Sequence, residues 1–67
     1  MSDGRNRNNI KIGYYVAVVE KHNQRTNELT HGEVKRILTK SAFHPHGIKV
    51  MLDTGEVGRV KEILETE

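Results

Sequence analysis

Apolar residues in this 67-residue chain gather in short clusters separated by polar stretches, and the period of each cluster predicts its structure. Tyr15-Val16-Ala17-Val18-Val19 is brief and rich in β-branched residues, which fits a buried strand. Ile48-Lys49-Val50-Met51-Leu52 alternates at period two, placing Ile48, Val50 and Leu52 on one face and Lys49 and Met51 on the other. Asp53-Thr54-Gly55-Glu56 supplies turn residues before Val57-Gly58-Arg59-Val60, so these two strands form a hairpin. Gly58 inside the second strand predicts a sharp bend or a close backbone approach. Beyond it, Val60, Ile63 and Leu64 stand at helical spacing and predict one closing turn.

Thr30 to Lys40 admits two readings. Thr30 and Glu33 have capping-box spacing, and Val34, Ile37 and Leu38 follow at helical spacing. Against a helix stand Gly32 in its first turn and the shortness of the segment, since isolated helices below about 12 residues are marginal. The strand reading is favoured, although it puts Val34 and Ile37 on opposite faces unless a bulge intervenes. Lys21 to Glu28 reads as a long polar loop with Leu29 returning toward the core, and Ser41 to His46 as a loop holding the only proline. Residues 1–9 have no apolar side chain after Met1 and predict a flexible arm, leaving residues 10–67 as a single domain. The expected fold is all-β, a small SH3-like or KOW-like barrel of four to five short strands. Its closure would remove the exposed edges that endanger so small a sheet.

Composition narrows what such a barrel can do. A domain near this size buries only about 60% of its unfolded surface, which leaves little volume for a deep substrate cavity. Without cysteine there is neither a disulfide framework nor a thiolate metal site. The first apolar run is too short for a signal peptide or a membrane span, so a cytoplasmic setting without membrane contact is expected. The formal charge of +2 is unevenly spread: residues 1–40 carry a net +4 and residues 41–67 a net −2. A basic body predicts contact with a polyanion, against the ordinary alternative of a mixed solvated surface.

Leu38-Thr39-Lys40-Ser41, His44-Pro45-His46-Gly47-Ile48-Lys49-Val50 and Gly55-Glu56-Val57-Gly58-Arg59-Val60 resemble the YwbE-like family of small uncharacterised bacterial and archaeal proteins. Gln24-Arg25-Thr26 and Gly32-Glu33-Val34 fit as well, so the resemblance spans roughly residues 10–63. That family has no established biochemical activity, and the resemblance implies kinship alone. The Gly-x-Val step followed by a hairpin is also similar to KOW-type barrels of ribosomal and transcription factors, a likeness of fold that implies RNA or ribosome contact.

Arg25, Lys35, Arg36, Lys40, Lys49 and Arg59 form the candidate basic surface, joined by His44 and His46 in the proline loop. With only Tyr14, Tyr15 and Phe43 as aromatics, contact should rest on backbone and shape more than on base stacking. The leading expectation is therefore a non-catalytic module that binds RNA or a ribonucleoprotein and needs no cofactor. The alternative is a protein–protein adaptor anchored by Tyr14, Tyr15, Phe43 and Met51. His44 and His46, at period two, could pinch a metal with His22 or His31, but their spacing matches no zinc pattern, and a loop stiffened by Pro45 is the better reading. Ser2 and Ser41 lack the context of a nucleophile elbow, and no glycine-rich phosphate loop precedes a helix, so no enzyme is expected.

Overall fold

Four strands, β1 (Tyr15–Glu20), β2 (Thr30–Ile37), β3 (Lys49–Leu52) and β4 (Val57–Glu65), follow one another around a closed antiparallel barrel. This computed structural model describes residues 4–23, 26 and 28–66. Pairing of β4 back onto β1 closes the sheet, so every strand has two neighbours. Val16, Val18, Val34 and Val60 form the core with Ile48, Val50 and Leu52, the face that alternation selects in the third cluster, and β1 is buried from Val16 through Val19 as its apolar run predicts. The hairpin from β3 to β4 turns at residues 53–56 as expected.

Extra residues in two strands, one in β2 and two in β4, explain the segments whose spacing looks helical. In β2, Val34 pairs with Leu52 while Arg36 pairs with Met51, so Lys35 is bulged out of the ladder and Val34 and Ile37 both turn toward the core. Thr30 to Ile37 is thus the strand favoured from sequence, with the bulge that reading requires. In β4, Val60 pairs with Val18, Glu62 with Ala17, Ile63 with Val16 and Glu65 with Tyr15. Lys61 and Leu64 are the surplus residues there, and Val60 and Ile63 share the inner face at a spacing of three. The helical turn expected at Val60, Ile63 and Leu64 does not form: the same spacing arises from a doubly bulged strand.

The barrel mouth is plugged from the N-terminal side. Residues 4–9, expected within a flexible arm, lie hydrogen-bonded against the loop before β3. Arg7 N–H donates to Ala42 O at 2.8 Å, His44 N–H to Arg5 O at 2.9 Å and Ile48 N–H to Gly4 O at 2.8 Å. Met1 to Asp3, the rest of that stretch, are outside the described residues. A 3₁₀ turn over Arg7–Asn9, capped by Asn6 accepting from Asn8 N–H, then drops Ile10 into the core with 2% exposure. The physical reason is burial, because a core of so few side chains needs Ile10 to close its end. Leu29 departs from expectation in the other direction and stays 45% exposed, while Lys21–Asn23 form a short 3₁₀ turn after β1.

Gly58 meets the expectation of a close approach. A Cβ there would stand 2.7 Å from Val19 O and 2.9 Å from Val18 Cγ2, and the first obstacle is backbone that cannot swing aside. Gly58→Ala should therefore lower unfolding free energy by about 1–3 kcal/mol, and Ile48→Ala by about 2–5 kcal/mol. Both compare with the roughly 3–5 kcal/mol that a core of this size supplies. Urea titrations followed by circular dichroism check both, and an unchanged midpoint for Gly58→Ala would contradict the packing described.

Candidate nucleic-acid interface

The hairpin register decides which side chains face out together. Leu52 N–H donates to Glu56 O and Val60 N–H to Ile48 O, each at 2.8 Å. By alternation the intervening Lys49–Arg59 and Met51–Val57 pairs occupy the non-hydrogen-bonded rungs, where Cα atoms approach to about 4.5 Å and side chains stand closest. Arg59 is flanked on its other side by Val19 of β1, and Met51 by Arg36 of β2. Arg36, Lys49 and Arg59 thus share one outer wall, with Met51, Val57 and Val19 between them. Bulged Lys35 adjoins Arg36. Lys40 follows Thr39, whose Oγ1 accepts from Lys49 N–H at 2.8 Å and whose own N–H donates to Lys49 O at 3.2 Å.

Five of the six basic residues singled out from sequence therefore gather on the β2–β3–β4 side, and Arg25 lies outside the described residues. Among the described residues, none of those five has a carboxylate partner. Of the acidic residues, Glu33 and Glu65 flank Tyr15 and Glu62 pairs with Ala17 around β1, whereas Glu20 pairs with Gly58 of β4 and Asp53 and Glu56 lie in the β3–β4 turn. The clustering of these cations is a product of strand pairing, which the count along the chain cannot reveal. Like charges directly opposite on a rung are destabilising, by about the 0.2–1 kcal/mol of other cross-strand pairs, and here Arg59 Nη1 is held toward Gly47 O at 3.1 Å.

The proline loop joins this wall at its end. Gly47 N–H donates to His44 O at 3.0 Å, closing a turn with Pro45 second, and His46 N–H donates to His44 Nδ1 at 3.2 Å. Gly47 has φ +104°, and a Cβ on it would lie 2.5 Å from Val60 O, so no other residue fits. Arg59 Nη1 donates to Gly47 O at 3.1 Å and Lys61 Nζ to His46 O at 3.3 Å, tying the loop to β4. The His44 and His46 rings sit 5.9 Å apart. Partial removal from water holds the His44 imidazole below its ordinary pKa of 6.5, with Arg59 and then His46 adding to the effect. Its Nδ1 is an acceptor, which requires the neutral ring.

The other expected constellations are dispersed. His22 stands 3.9 Å from Glu20, and His31 meets Tyr15 edge-on at 6.4 Å. Among the described residues no three His, Cys, Asp or Glu side chains group to hold a metal. Of the adaptor anchors, Tyr14 packs on the core, Tyr15 lies on the outer face of β1 and Met51 is on β3 within the basic wall. Phe43 lies under the Arg5 guanidinium at 5.8 Å in the loop. Arg7 spends its Nε–H on Thr39 O at 3.0 Å.

Two cations escape a reading of the sequence. Lys61 looks like part of a closing helix and is a bulge residue of β4. Lys21 looks like loop, yet it lines a depression of about 390 Å³ on the wall together with Val19, Lys49, Val57, Gly58 and Arg59. The only signal in the chain is its position directly after β1, which becomes informative once β1 is known to lie beside β4.

Residues 3–63 match the family model described as "Uncharacterized conserved protein (DUF2196)". The chain is 53% identical over 64 residues to the uncharacterised protein YwbE of Bacillus subtilis (strain 168), covering 96% of this chain and 98% of that protein. No solved structure matches. No described helix is long and apolar enough to cross a membrane.

Because the folded-state pKa of His44 is depressed, its contribution to stability is present above about pH 6.5 and is lost as pH falls through the lowered value. In an NMR titration His44 should titrate below 6.5, and Arg59→Gln should move it upward. A His44 that titrates above 6.5 would contradict the contacts described here.

Proposed function

We propose that this chain, which belongs to the YwbE-like family of small uncharacterised proteins, is a non-catalytic module that binds RNA through its basic wall. The observation that carries the reading is the Lys49–Arg59 rung: two cations held on the closest rung of a ladder, with no carboxylate partner among the described residues. A fold that needed only solubility could place either charge opposite a carboxylate and gain stability. A polyanion offsets the repulsion by placing phosphate oxygens between the two side chains.

Arg36 and Lys35 extend the charge along β2, and Lys40 extends it beyond the strand. The His44–Gly47 turn borders it at the β4 end, where the exposed His46 and the half-buried His44 can meet phosphate or sugar. RNA is the polyanion that fits the cytoplasmic setting expected from the sequence and the likeness to KOW-type barrels. Protein-adaptor action has less support, because its anchors are spread over separate elements and one of them, Met51, sits among the cations.

About four phosphate contacts give a slope of log K against log salt of roughly −3 to −4. Lys49→Thr should weaken binding and reduce that slope by about 1, while leaving the free protein as stable or more stable by about 0.2–1 kcal/mol. Joint change of Lys35, Arg36 and Lys40 to Glu should abolish binding with the fold intact by circular dichroism. Fluorescence anisotropy with labelled RNA across a salt series checks all three. Binding that is insensitive to salt, or that survives the triple change, would sink the proposal, as would capture of a protein partner that persists after nuclease treatment and high salt.

A further inference from the structure

The basic wall is not uniformly convex. The depression lined by Val19, Lys21, Lys49, Val57, Gly58 and Arg59 encloses about 390 Å³, within the range of roughly 300–1,000 Å³ that small-ligand sites occupy. Its cations come from three places in the chain: the turn after β1, β3 and β4. They converge because β4 is paired with both β1 and β3, so that Val19, Arg59 and Lys49 stand on one rung across three strands. Val19 and Val57 contribute an apolar floor, and no acidic residue lines the site. Arg59 does not swing freely, since Nη1 is hydrogen-bonded to Gly47 O at 3.1 Å.

A hollow with cations above an apolar floor selects a different ligand from a flat charged wall. The phosphates of a duplex lie on its convex outside and its bases are already stacked and paired, so a duplex touches the rim and leaves the floor empty. A strand with an unstacked base can fill both parts. Its phosphate meets Lys21 and Lys49, and the base packs on valine methyl groups beside a fixed guanidinium plane, a surface on which bases stack in place of an aromatic ring. We propose that the depression between Lys21, Lys49 and Arg59 seats one nucleotide of single-stranded RNA. The proposal rests on the RNA reading of the wall and adds to it a strand class and a place for a base.

The test uses the full chain and separates the two claims. Adenosine 5′-monophosphate and inorganic phosphate are titrated separately while amide resonances are followed. The nucleotide should shift Val19, Lys21, Lys49 and residues 57–59, with phosphate alone shifting only the lysines and Arg59. Identical shift patterns for the two would overturn the base seat. Anisotropy with single-stranded and duplex RNA is then compared for the native chain and Val57→Lys, a substitution on the outer face that fills the hollow while adding positive charge. Charge alone predicts tighter binding of both RNAs. The seat predicts a loss of roughly 10-fold for the single strand, the size of one stacking contact, with duplex affinity held or raised. Tightening of both RNAs would overturn the seat and leave the basic wall standing, whereas absence of binding to either RNA by the native chain would overturn both.

Discussion

Closing four short strands into one barrel is the constraint on which the rest of this molecule depends. So few strands must turn sharply to meet, and they do so where extra residues and a missing side chain permit it: bulges at Lys35, Lys61 and Leu64, and Gly58, whose Cβ would run into Val19 O. The interior this leaves is narrow, filled largely by valine and isoleucine. Ile10 completes it from outside the sheet, and the N-terminal segment is held in place to deliver that residue.

Closure also creates the surface. Because β4 pairs with both β1 and β3, residues far apart in sequence share a rung, and Val19, Arg59 and Lys49 become neighbours. The same geometry sends Glu33, Glu62 and Glu65 to the side around β1. A protein of modest net charge thereby gathers Arg36, Lys49 and Arg59 on neighbouring strands. The like-charge rung at Lys49 and Arg59 is a local cost in a small domain with little stability to spare, and the proposed polyanion would offset it.

Much of the barrel was legible from alternation. Ile48 to Leu52 places Lys49 and Met51 outward directly, and the turn at 53–56 follows from its residues. What misled was the spacing of three, which a helix and a bulged strand share. At Thr30 to Lys40, Gly32 argued against the helix, whereas at Val60, Ile63 and Leu64 no such residue intervened. The identity of the cations was also legible, but their assembly was not. Lys21 and Lys49 are 28 positions apart, and only the closing pair of strands brings both to one depression.

In the proposed function, Lys49 and Arg59 stand opposite one another in a repulsion that RNA would relieve. A double-mutant cycle with Lys49→Thr and Arg59→Thr, read as unfolding free energy in the free protein and again at saturating single-stranded RNA, measures that coupling directly. The coupling should be repulsive by about 0.2–1 kcal/mol in the free protein and vanish or change sign when RNA is bound. A coupling of zero in both states, or one that RNA leaves unchanged, would contradict that proposal.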